Sequence, residues 1–267
     1  MPILKIRPGQ TVNLKDVDPD DTGDVVKKKE AQKQLAQQVA RIAALQNILF
    51  AQGKHALLII LQAIDAGGKD GTIRNVFSGV NPQGVRVTGF GKPTEEELEH
   101  DFLWRIHKAV PKQGMIGVFN RSHYEDVLVV RVKNLAPEPV WRGRYAHINH
   151  FEKLLANKGT TILKFYLHIS KAEQKERLQA RLDDPNKHWK FNPADLAERA
   201  RWEDYMRAFE DALTHCSTEH APWYIVPANR KWYRNLAVAE TIVQTLEGLN
   251  LQYPPSAEGL EKIQLAD

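Results

Sequence analysis

Apolar residues recur along this chain with two different periods, and the succession of these periods predicts the fold. The run ALLIILQAI (56–64) is almost continuously hydrophobic, which is typical of a strand that is buried on both faces. Four further apolar runs are short enough to be strands and are separated by longer helical patterns. The predicted strands are 56–64, 84–90, 114–120, 160–169 and 223–229.

Helices are predicted where apolar residues recur at intervals of three and four. The longest one begins near residue 25 and ends at Gly53, because glycine commonly terminates helices. Two capping boxes begin further helices, Thr94 with Glu97 and Ser170 with Glu173. The remaining bounds follow from the periodicity. The predicted helices are 25–53, 94–109, 139–157, 170–182 and a last one that ends near 249.

Strands and helices in strict succession predict an α/β fold, a parallel five-stranded sheet with helices on both faces. No internal repeat or low-complexity linker is present, so we expect one domain over 1–267. Three segments depart from the alternation. They are an extended N-terminal arm (1–25), a flap rich in proline and polar residues (183–198) and a loosely held tail (250–267).

Composition limits the kinds of site, the cellular location and the partners that we expect for the protein. Cys216 is the single cysteine, which excludes a disulfide framework and a cysteine-based zinc site. No apolar run reaches the roughly 20 residues that span a bilayer, so we expect a cytoplasmic protein. Lys and Arg outnumber Asp and Glu by only 37 to 33. That excess is too small to indicate nucleic acid as a partner, so the distribution of the basic residues matters more.

The segment QAIDAGGKDGTI (62–73) follows the first buried strand and opens a helix, the position that a phosphate-binding loop occupies. Gly67 and Gly68 let the backbone approach phosphate oxygens, and Lys69 adds a positive charge. The pattern G-x-x-x-x-G-K-[ST] is matched incompletely, since Ala63 replaces the first glycine and Asp70 replaces the hydroxyl residue. The same residues would also fit a tight glycine turn that joins strand to helix.

Asp65 favours the phosphate loop over the simple turn. A carboxylate at the end of a buried strand repels phosphate unless something neutralises it. A divalent cation would do so, since Mg²⁺ prefers one or two carboxylates together with phosphate oxygens. Asp65 could instead orient an attacking oxygen or take its proton. Asp70 is also explained as an acid that the helix dipole favours in a first turn.

The third predicted strand ends in FNRSHYEDV (119–127), and open α/β sheets place ligands at strand C-termini. Arg121 would lie beside the loop and suits bidentate phosphate contact. Many P-loop proteins have a metal-binding Asp here, whereas this chain has Asn120. Glu125 either restores the missing charge or is a solvated acid at a helix start. We expect His123 to be structural.

Basic residues continue along one track beyond the loop. Arg177 and Arg181 are four residues apart on one helix, so both guanidinium groups are expected to face the flap. The flap adds Lys187 and Lys190 beside Trp189. These residues fit either a solvated basic face or a lid that closes over transferred phosphates. Arg131 and Lys133 extend the track.

Four separated motifs give the chain a family resemblance from about residue 25 to 250. They are DAGGKDGTI, GFGKPTEEELEHDFLWR, FNRSHYEDVLVVRV and RLQARLDDPNKHWKFNPADL, and together they resemble the polyphosphate kinase 2 family. That family has a P-loop kinase fold with a helical lid. Asn120-Arg121-Ser122 in place of Asp-Arg-Ser resembles the subgroup (class III) that phosphorylates both nucleoside mono- and diphosphates.

The resemblance implies a polyphosphate:nucleotide phosphotransferase that uses Mg²⁺, or Mn²⁺, and transfers the phosphoryl group in line. Its implied partners are inorganic polyphosphate and nucleoside mono- and diphosphates, without nucleic acid or membrane, in a homo-oligomer. The residues divide by implied role. The catalytic set is Asp65, Lys69, Arg121, Arg177 and Arg181. The polyphosphate-binding set is Ala66, Gly67, Gly68, Lys69, Asp70, Gly71, Thr72, Arg74, Arg131, Lys133, Lys187 and Lys190. The nucleotide-binding set is Asn120, Arg121 and Glu125, and the metal-binding set is Asp65 and Glu125.

Two rival functions use the same residues. An ATP-dependent nucleoside monophosphate kinase of the thymidylate-kinase type would differ in its donor and would need an adenine pocket near the loop. A non-catalytic polyanion-binding protein would use the basic track but would have no use for Asp65.

Overall fold

A computed structural model describes residues 3–25, 27–260, 263 and 265 of the chain. All five predicted strands are present, and a sixth short strand lies at one edge of the same sheet. The sheet order is β1-β6-β5-β2-β4-β3, with β1 antiparallel and every other pair parallel. The strands are β1 Leu4–Lys5, β2 Ala56–Gln62, β3 Val85–Gly89, β4 Ile116–Asn120, β5 Thr160–His168 and β6 Trp223–Pro227.

Helices cover both faces of the sheet. The long first helix ends where predicted, because Gly53 adopts φ 64° and its N–H bonds the carbonyl of Leu49. The helices are α1 Lys28–Gln52, α2 Lys69–Val76, α3 Glu95–Leu98, α4 Trp104–His107, α5 Val129–Val132, α6 Glu138–Asn157, α7 Lys171–Leu182, α8 Ala194–Ala200, α9 Trp202–His215 and α10 Lys231–Gly248. None of these helices is long and apolar enough to cross a bilayer.

The central strands are buried because helices pack on either side of them. Every residue of β2 is buried, and β5 exposes only Thr161 in part. Their apolar side chains therefore join both halves of the core. The C-terminal ends of β2, β4 and β5 meet at one edge of the sheet, which is where parallel sheets place ligands.

The predicted helix 94–109 is wrong in its length. Its capping box forms, with Thr94 Oγ1 3.2 Å from the N–H of Glu97 and Glu97 Oε2 3.0 Å from the N–H of Thr94. The helix stops after one turn at Leu98, and α4 begins only at Trp104. Asp101 accounts for the break, because its carboxylate accepts the N–H of Leu103 at 2.9 Å and so starts a new turn.

The second capping box forms only in half. Ser170 Oγ accepts the N–H of Glu173 at 3.1 Å, as predicted. The Glu173 carboxylate does not return to the backbone of Ser170 but accepts Arg177 Nε at 2.6 Å. The carboxylate of Glu173 therefore pairs with the guanidinium of Arg177, one helical turn away, in place of the backbone N–H of Ser170.

The N-terminal arm is extended but contributes to the core, which its composition did not predict. Ile6, Val12 and Leu14 are buried in the main apolar cluster. The backbone N–H of Leu14 donates to Glu210 Oε1 at 2.8 Å. The flap contains a 3₁₀ turn at Pro185–Lys190 and most of α8. In the tail, residues 252–258 are exposed, whereas 261, 262, 264, 266 and 267 lie outside the described residues.

Candidate active site

The phosphate-loop candidate joins β2 to α2 through a backbone that only small residues allow. Ala66 has φ 63° and Gly68 has φ 105°, both in the region that favours glycine. A Cβ at Gly67 would lie 2.4 Å from the Cβ of Ala63, so glycine is required there by contact. Strain of this kind collects at functional sites.

Lys69 folds back over this loop. Its side chain is buried, and Nζ donates to the carbonyl of Ala63 at 2.9 Å. Burial, with a further contribution from Arg121, lowers the pKa of Lys69, while Asp65 and Glu125 oppose that shift. The loop thus holds a partly desolvated cation against the backbone. Thr72 turns inward to the carbonyl of Gly68 at 3.2 Å.

The carboxylate of Asp65 is paired with a cation from the neighbouring strand end. Arg121 Nη2 lies 2.9 Å from Asp65 Oδ1, with side chains that are 40% and 31% exposed. Arg121 itself has φ 63°, so a non-glycine residue is held in a costly conformation at the end of β4. Gln174 donates to the carbonyl of Asp65 at 2.9 Å. The predicted proximity of Arg121 to the loop is present in the structure.

A second pair joins the same two elements. Asn120 Nδ2 donates to Asp70 Oδ1 at 2.6 Å, although Asp70 also occupies the acidic first turn of α2. Asp70 therefore lies where the helix-dipole interpretation expects it, and its role in binding polyphosphate stays a prediction. The end of β4 is joined to the loop through Asp65 and to the first turn of α2 through Asp70.

Arg177 does not face the flap, contrary to the sequence-based prediction. It is buried, and Nη1 donates to the carbonyls of Ala66 and Gly67, both at 3.0 Å. Nη2 donates to the carbonyls of Ala228 and Asn229 at 2.6 and 3.1 Å. Glu173 accepts its remaining nitrogen, Nε. Five acceptors commit this guanidinium to holding the loop backbone.

Arg181 does face the flap. Its Nη1 donates to the carbonyl of Lys190 at 3.1 Å and lies 3.7 Å from Asp195 Oδ2. Lys187 is exposed and paired with Asp184 at 2.6 Å. Trp189 is 78% exposed but lines the cavity. The flap therefore contributes side chains from residues 187–195 to the wall of the cavity.

Arg131 and Lys133 do not belong to this track. Arg131 pairs with Asp211 at 2.5 Å and stacks over Trp141. Lys133 pairs with Glu198 at 2.5 Å. Neither lines the cavity, because Arg131 is turned towards Asp211 on α9 and Lys133 towards Glu198 on α8. Their prediction as polyphosphate-binding residues has no support from the geometry.

Glu125 has a raised pKa, chiefly because of burial, while Arg121 and Lys69 oppose the shift. Glu125 lies near the charged side chains of Arg121, Lys69 and Asp65 but does not line the cavity. Within the described residues, no cluster of three His, Cys, Asp or Glu side chains could hold a metal ion. Asp65 at the cavity still fits a Mg²⁺-type ion, because such an ion takes its other ligands from phosphate and water. Glu125 as a second ligand stays a prediction.

A buried charged cluster supports the segment that carries Arg121 and Glu125. Lys164 Nζ donates to Glu152 Oε2 at 2.6 Å, to Tyr124 Oη at 2.7 Å and to the carbonyl of Cys216 at 2.7 Å. His123 Nε2 lies 3.3 Å from Glu152 Oε1. All four side chains are fully buried. His123 therefore has a structural position, as predicted.

These elements enclose an open cavity of about 780 Å³. From the predicted set, the cavity is lined by residues 65–71 of the loop and by Arg74, Asn120, Arg121, Arg177, Arg181, Lys187 and Lys190, whereas Thr72 does not line it. Lys231 and Arg234, at the start of α10, also line it and were not predicted. The signal was available, because both follow the fifth predicted strand and so lie at the same edge of the sheet. The other unpredicted lining residues are Gly89, Phe90, Gly91, Ala180, Trp189, Asn192 and Asp195.

Comparisons with known proteins agree with this geometry. The sequence profile of the family Polyphosphate kinase 2 (PPK2) matches residues 25–254. The chain is 56% identical over 260 residues to the AMP/ADP-polyphosphate phosphotransferase of Meiothermus ruber, with 97% of each chain covered. It is 48% identical to the ADP-polyphosphate phosphotransferase of Rhodopseudomonas palustris, with 85% of this chain and 83% of that one covered.

The fold of the chain also matches that of a solved structure. The crystal structure of polyphosphate kinase 2 from Arthrobacter aurescens TC1 is similar with a TM-score of 0.93 and 50% identity. That match covers 96% of this chain and 92% of the other. The predicted P-loop kinase fold is confirmed, with a sixth strand added at the edge. The chain belongs to the polyphosphate kinase 2 family.

Proposed function

We propose that this chain transfers a phosphoryl group from inorganic polyphosphate to nucleoside mono- and diphosphates, converting AMP to ADP and ADP to ATP. A terminal oxygen of the nucleotide phosphate attacks the last phosphorus of the chain. The bond from that phosphorus to its bridging oxygen breaks, and a polyphosphate that is one unit shorter leaves. The name of the Meiothermus ruber relative, which includes both AMP and ADP, supports the acceptance of both nucleotides.

The observation that carries the proposal is the Asp65–Arg121 pair at 2.9 Å beside a strained, glycine-containing loop. The loop and α2 provide backbone N–H groups for phosphate. In this proposal Arg121 contacts the transferred group bidentately, and Asp65 orients the attacking oxygen. Little covalent work remains for the protein, because positioning and charge stabilisation dominate phosphoryl transfer.

Kinases of this family generally need a divalent metal ion. We propose Mg²⁺, with Mn²⁺ as a substitute, and Asp65 as the residue that would hold it. The ion would neutralise charge between the two anionic substrates. The flap over residues 183–198 is proposed as the lid that excludes water, with Arg181 linking it to α7. A cytoplasmic location and a homo-oligomer remain predictions.

The donor is the point that separates this function from an ATP-dependent nucleoside monophosphate kinase. One reaction contains the protein, MgCl₂, long-chain polyphosphate and AMP, and the formation of ADP and ATP is followed. A second contains ATP and AMP without polyphosphate. We expect product in the first reaction. Product in the second alone would assign the protein to the ATP-dependent kinases, and binding without product in either would make it a polyanion-binding protein.

A further inference from the structure

Arg234 is a buried arginine in α10 that no carboxylate neutralises. Its residue is 2% exposed. Within the part of the chain that the structure describes, its one hydrogen-bond acceptor is Asn235 Oδ1, at 3.1 Å from Nε and 2.8 Å from Nη2. Nη1 has no acceptor there. Burying a charge without a partner is costly, so the position needs an explanation.

Arg234 differs in this respect from its neighbour Arg177. Arg177 donates to four backbone carbonyls and pairs with Glu173. Arg234 donates to none of the carbonyls of the loop, so it does not hold the loop in shape. Burial, and then the nearby charge of Arg177, lower the pKa of Arg234 to about 9. The native protein without ligand therefore retains a destabilising cation.

The guanidinium of Arg234 points at the phosphate loop. A Cβ at Gly68 would lie 1.9 Å from Nη1, and one at Gly71 would lie 3.2 Å from Nη2. These glycines flank the N-terminus of α2, where backbone N–H groups favour phosphate. Arg234 also lines the cavity, together with the exposed Lys231. A phosphate bound at the start of α2 would lie within reach of both cations.

We infer that Arg234, assisted by Lys231, binds a phosphate group of the polyphosphate chain on the β6 side of the loop. The two sides of the cavity differ in chemistry. The β6 side presents cations, which suit a ligand made only of phosphate. The side of β3 and β4 presents Phe90 between two glycines and the amide of Asn120 beside the single cation Arg121, which is paired with Asp65; a ring and an amide suit a nucleotide. This assignment rests on the proposed function.

The experiment compares Arg234→Met, which removes the charge at similar volume, with Arg234→Lys, which keeps it. Tm is measured alone, with tripolyphosphate and with AMP, and KM is measured for polyphosphate and for AMP. We expect the Tm of Arg234→Met alone to equal or exceed that of the wild type, because an uncompensated buried charge is gone. Its Tm increase with tripolyphosphate should fall by about half or more, and KM for polyphosphate should rise about tenfold. KM for AMP should stay within about twofold, and Arg234→Lys should recover part of the loss.

Arg230→Met is the matched control. Arg230 precedes α10, is exposed and pairs with Asp20 outside the cavity. It should respond to tripolyphosphate as the wild type does. Lys231→Met, at the cavity surface, should raise KM for polyphosphate by a smaller factor without lowering Tm.

Three results would overturn the inference. They are an unfolded or strongly destabilised Arg234→Met, an unchanged response of that variant to tripolyphosphate, and a change in KM for AMP in place of polyphosphate. The proposed function is tested separately by the wild type. A wild type that forms no ADP from polyphosphate, but whose Tm response to tripolyphosphate depends on Arg234, would keep this subsite and refute the reaction.

Discussion

At the scale of single residues, the active-site candidate depends on charges that compensate one another in pairs. Asp65 would repel phosphate if it stood alone, but Arg121 lies 2.9 Å from it. Both side chains are partly exposed, so the pair contributes little to stability. Arg121 nonetheless occupies a left-handed conformation, which costs about 1–3 kcal/mol. A costly conformation for a weak pair supports the proposal that the pair serves the reaction.

Asp65→Asn should therefore separate activity from stability. We expect kcat to fall about 100-fold or more, because the variant loses the charge that is proposed to orient the attacking oxygen and to hold the metal ion. The free energy of unfolding should change by less than about 1 kcal/mol, as for exposed ion pairs. Steady-state kinetics and urea denaturation measure the two quantities.

The control is Asp204→Asn. Asp204 forms a more exposed pair with Arg207 on α9, away from the cavity. It should leave kcat unchanged. Asp65→Asn with wild-type kcat would show that the chemistry lies elsewhere.

Residue types and spacing located the site but not the partners of each side chain. Lys69, Asp65 and Arg121 were predictable because strand ends meet at one edge of the sheet. Arg177 and Arg131 were not, because long side chains select partners that are distant in sequence. Arg177 finds carbonyls of residues 66, 67, 228 and 229, and Arg131 finds Asp211. For Arg234 the sequence offered its position after the fifth predicted strand, but its contact with the loop exists only after α10 packs there.

At the scale of elements, the N-terminal arm and the end of β5 stabilise each other. His168 ends β5 and is 6% exposed. The backbone of Leu14 and Val17 lies beside its ring, but among the residues that the structure describes Nδ1 has no hydrogen-bond partner. Burial lowers the pKa of His168 to about 4, and these backbone groups oppose the shift only in part. The arm thus covers a histidine that must stay neutral.

Acid should therefore loosen this junction. Because the folded pKa of His168 lies below the unfolded value of 6.5, the stability present above pH 6.5 is lost as the pH falls towards 4. The loss from this one group is about 3 kcal/mol at most. We expect His168→Phe to lack this component, so the difference in unfolding free energy between wild type and variant should change by that amount between pH 7 and pH 4. Urea titrations at several pH values measure it.

His147→Gln, at an exposed position of α6, is the control and should follow the wild type across the range. Parallel curves for wild type and His168→Phe would contradict the assignment.

Helices and strands with a clear hydrophobic periodicity were predictable, whereas element boundaries that depend on one local contact were not. Strands β2 and β5 followed from continuous apolar runs that the sheet buries on both faces, whereas β3, which has no buried residue, followed from its short alternating pattern. The helix over 94–109 failed because one carboxylate, Asp101, captures the N–H of Leu103 and ends the periodic pattern. Strand β1 has only two residues, and its pairing with β6 depends on tertiary packing of the arm rather than on any pattern of its own.

At the scale of the whole molecule, a net charge of +4 conceals a concentration of cations at one edge of the sheet. Lys69, Arg74, Arg121, Lys187, Lys190, Lys231 and Arg234 all line the same cavity. Such a concentration attracts a polyanion from a distance and releases the counterions of the polyanion when it binds. Composition alone could not predict this arrangement, because it arises from elements that are up to 165 residues apart in the chain and meet only in the folded sheet.

The two substrates should therefore respond differently to salt. Polyphosphate carries many charges and AMP about two, so screening and counterion release weaken polyphosphate binding more strongly. We expect KM for polyphosphate to rise about tenfold between ~0.05 and ~0.3 M NaCl at constant free Mg²⁺, and KM for AMP to rise about twofold.

Lys187→Gln combined with Lys190→Gln should reduce the slope for polyphosphate, because both lysines line the cavity. Arg207→Gln, whose exposed side chain lies outside the cavity, should leave the slope unchanged. Equal salt dependence for both substrates would mean that the cations of this edge do not form the polyphosphate path.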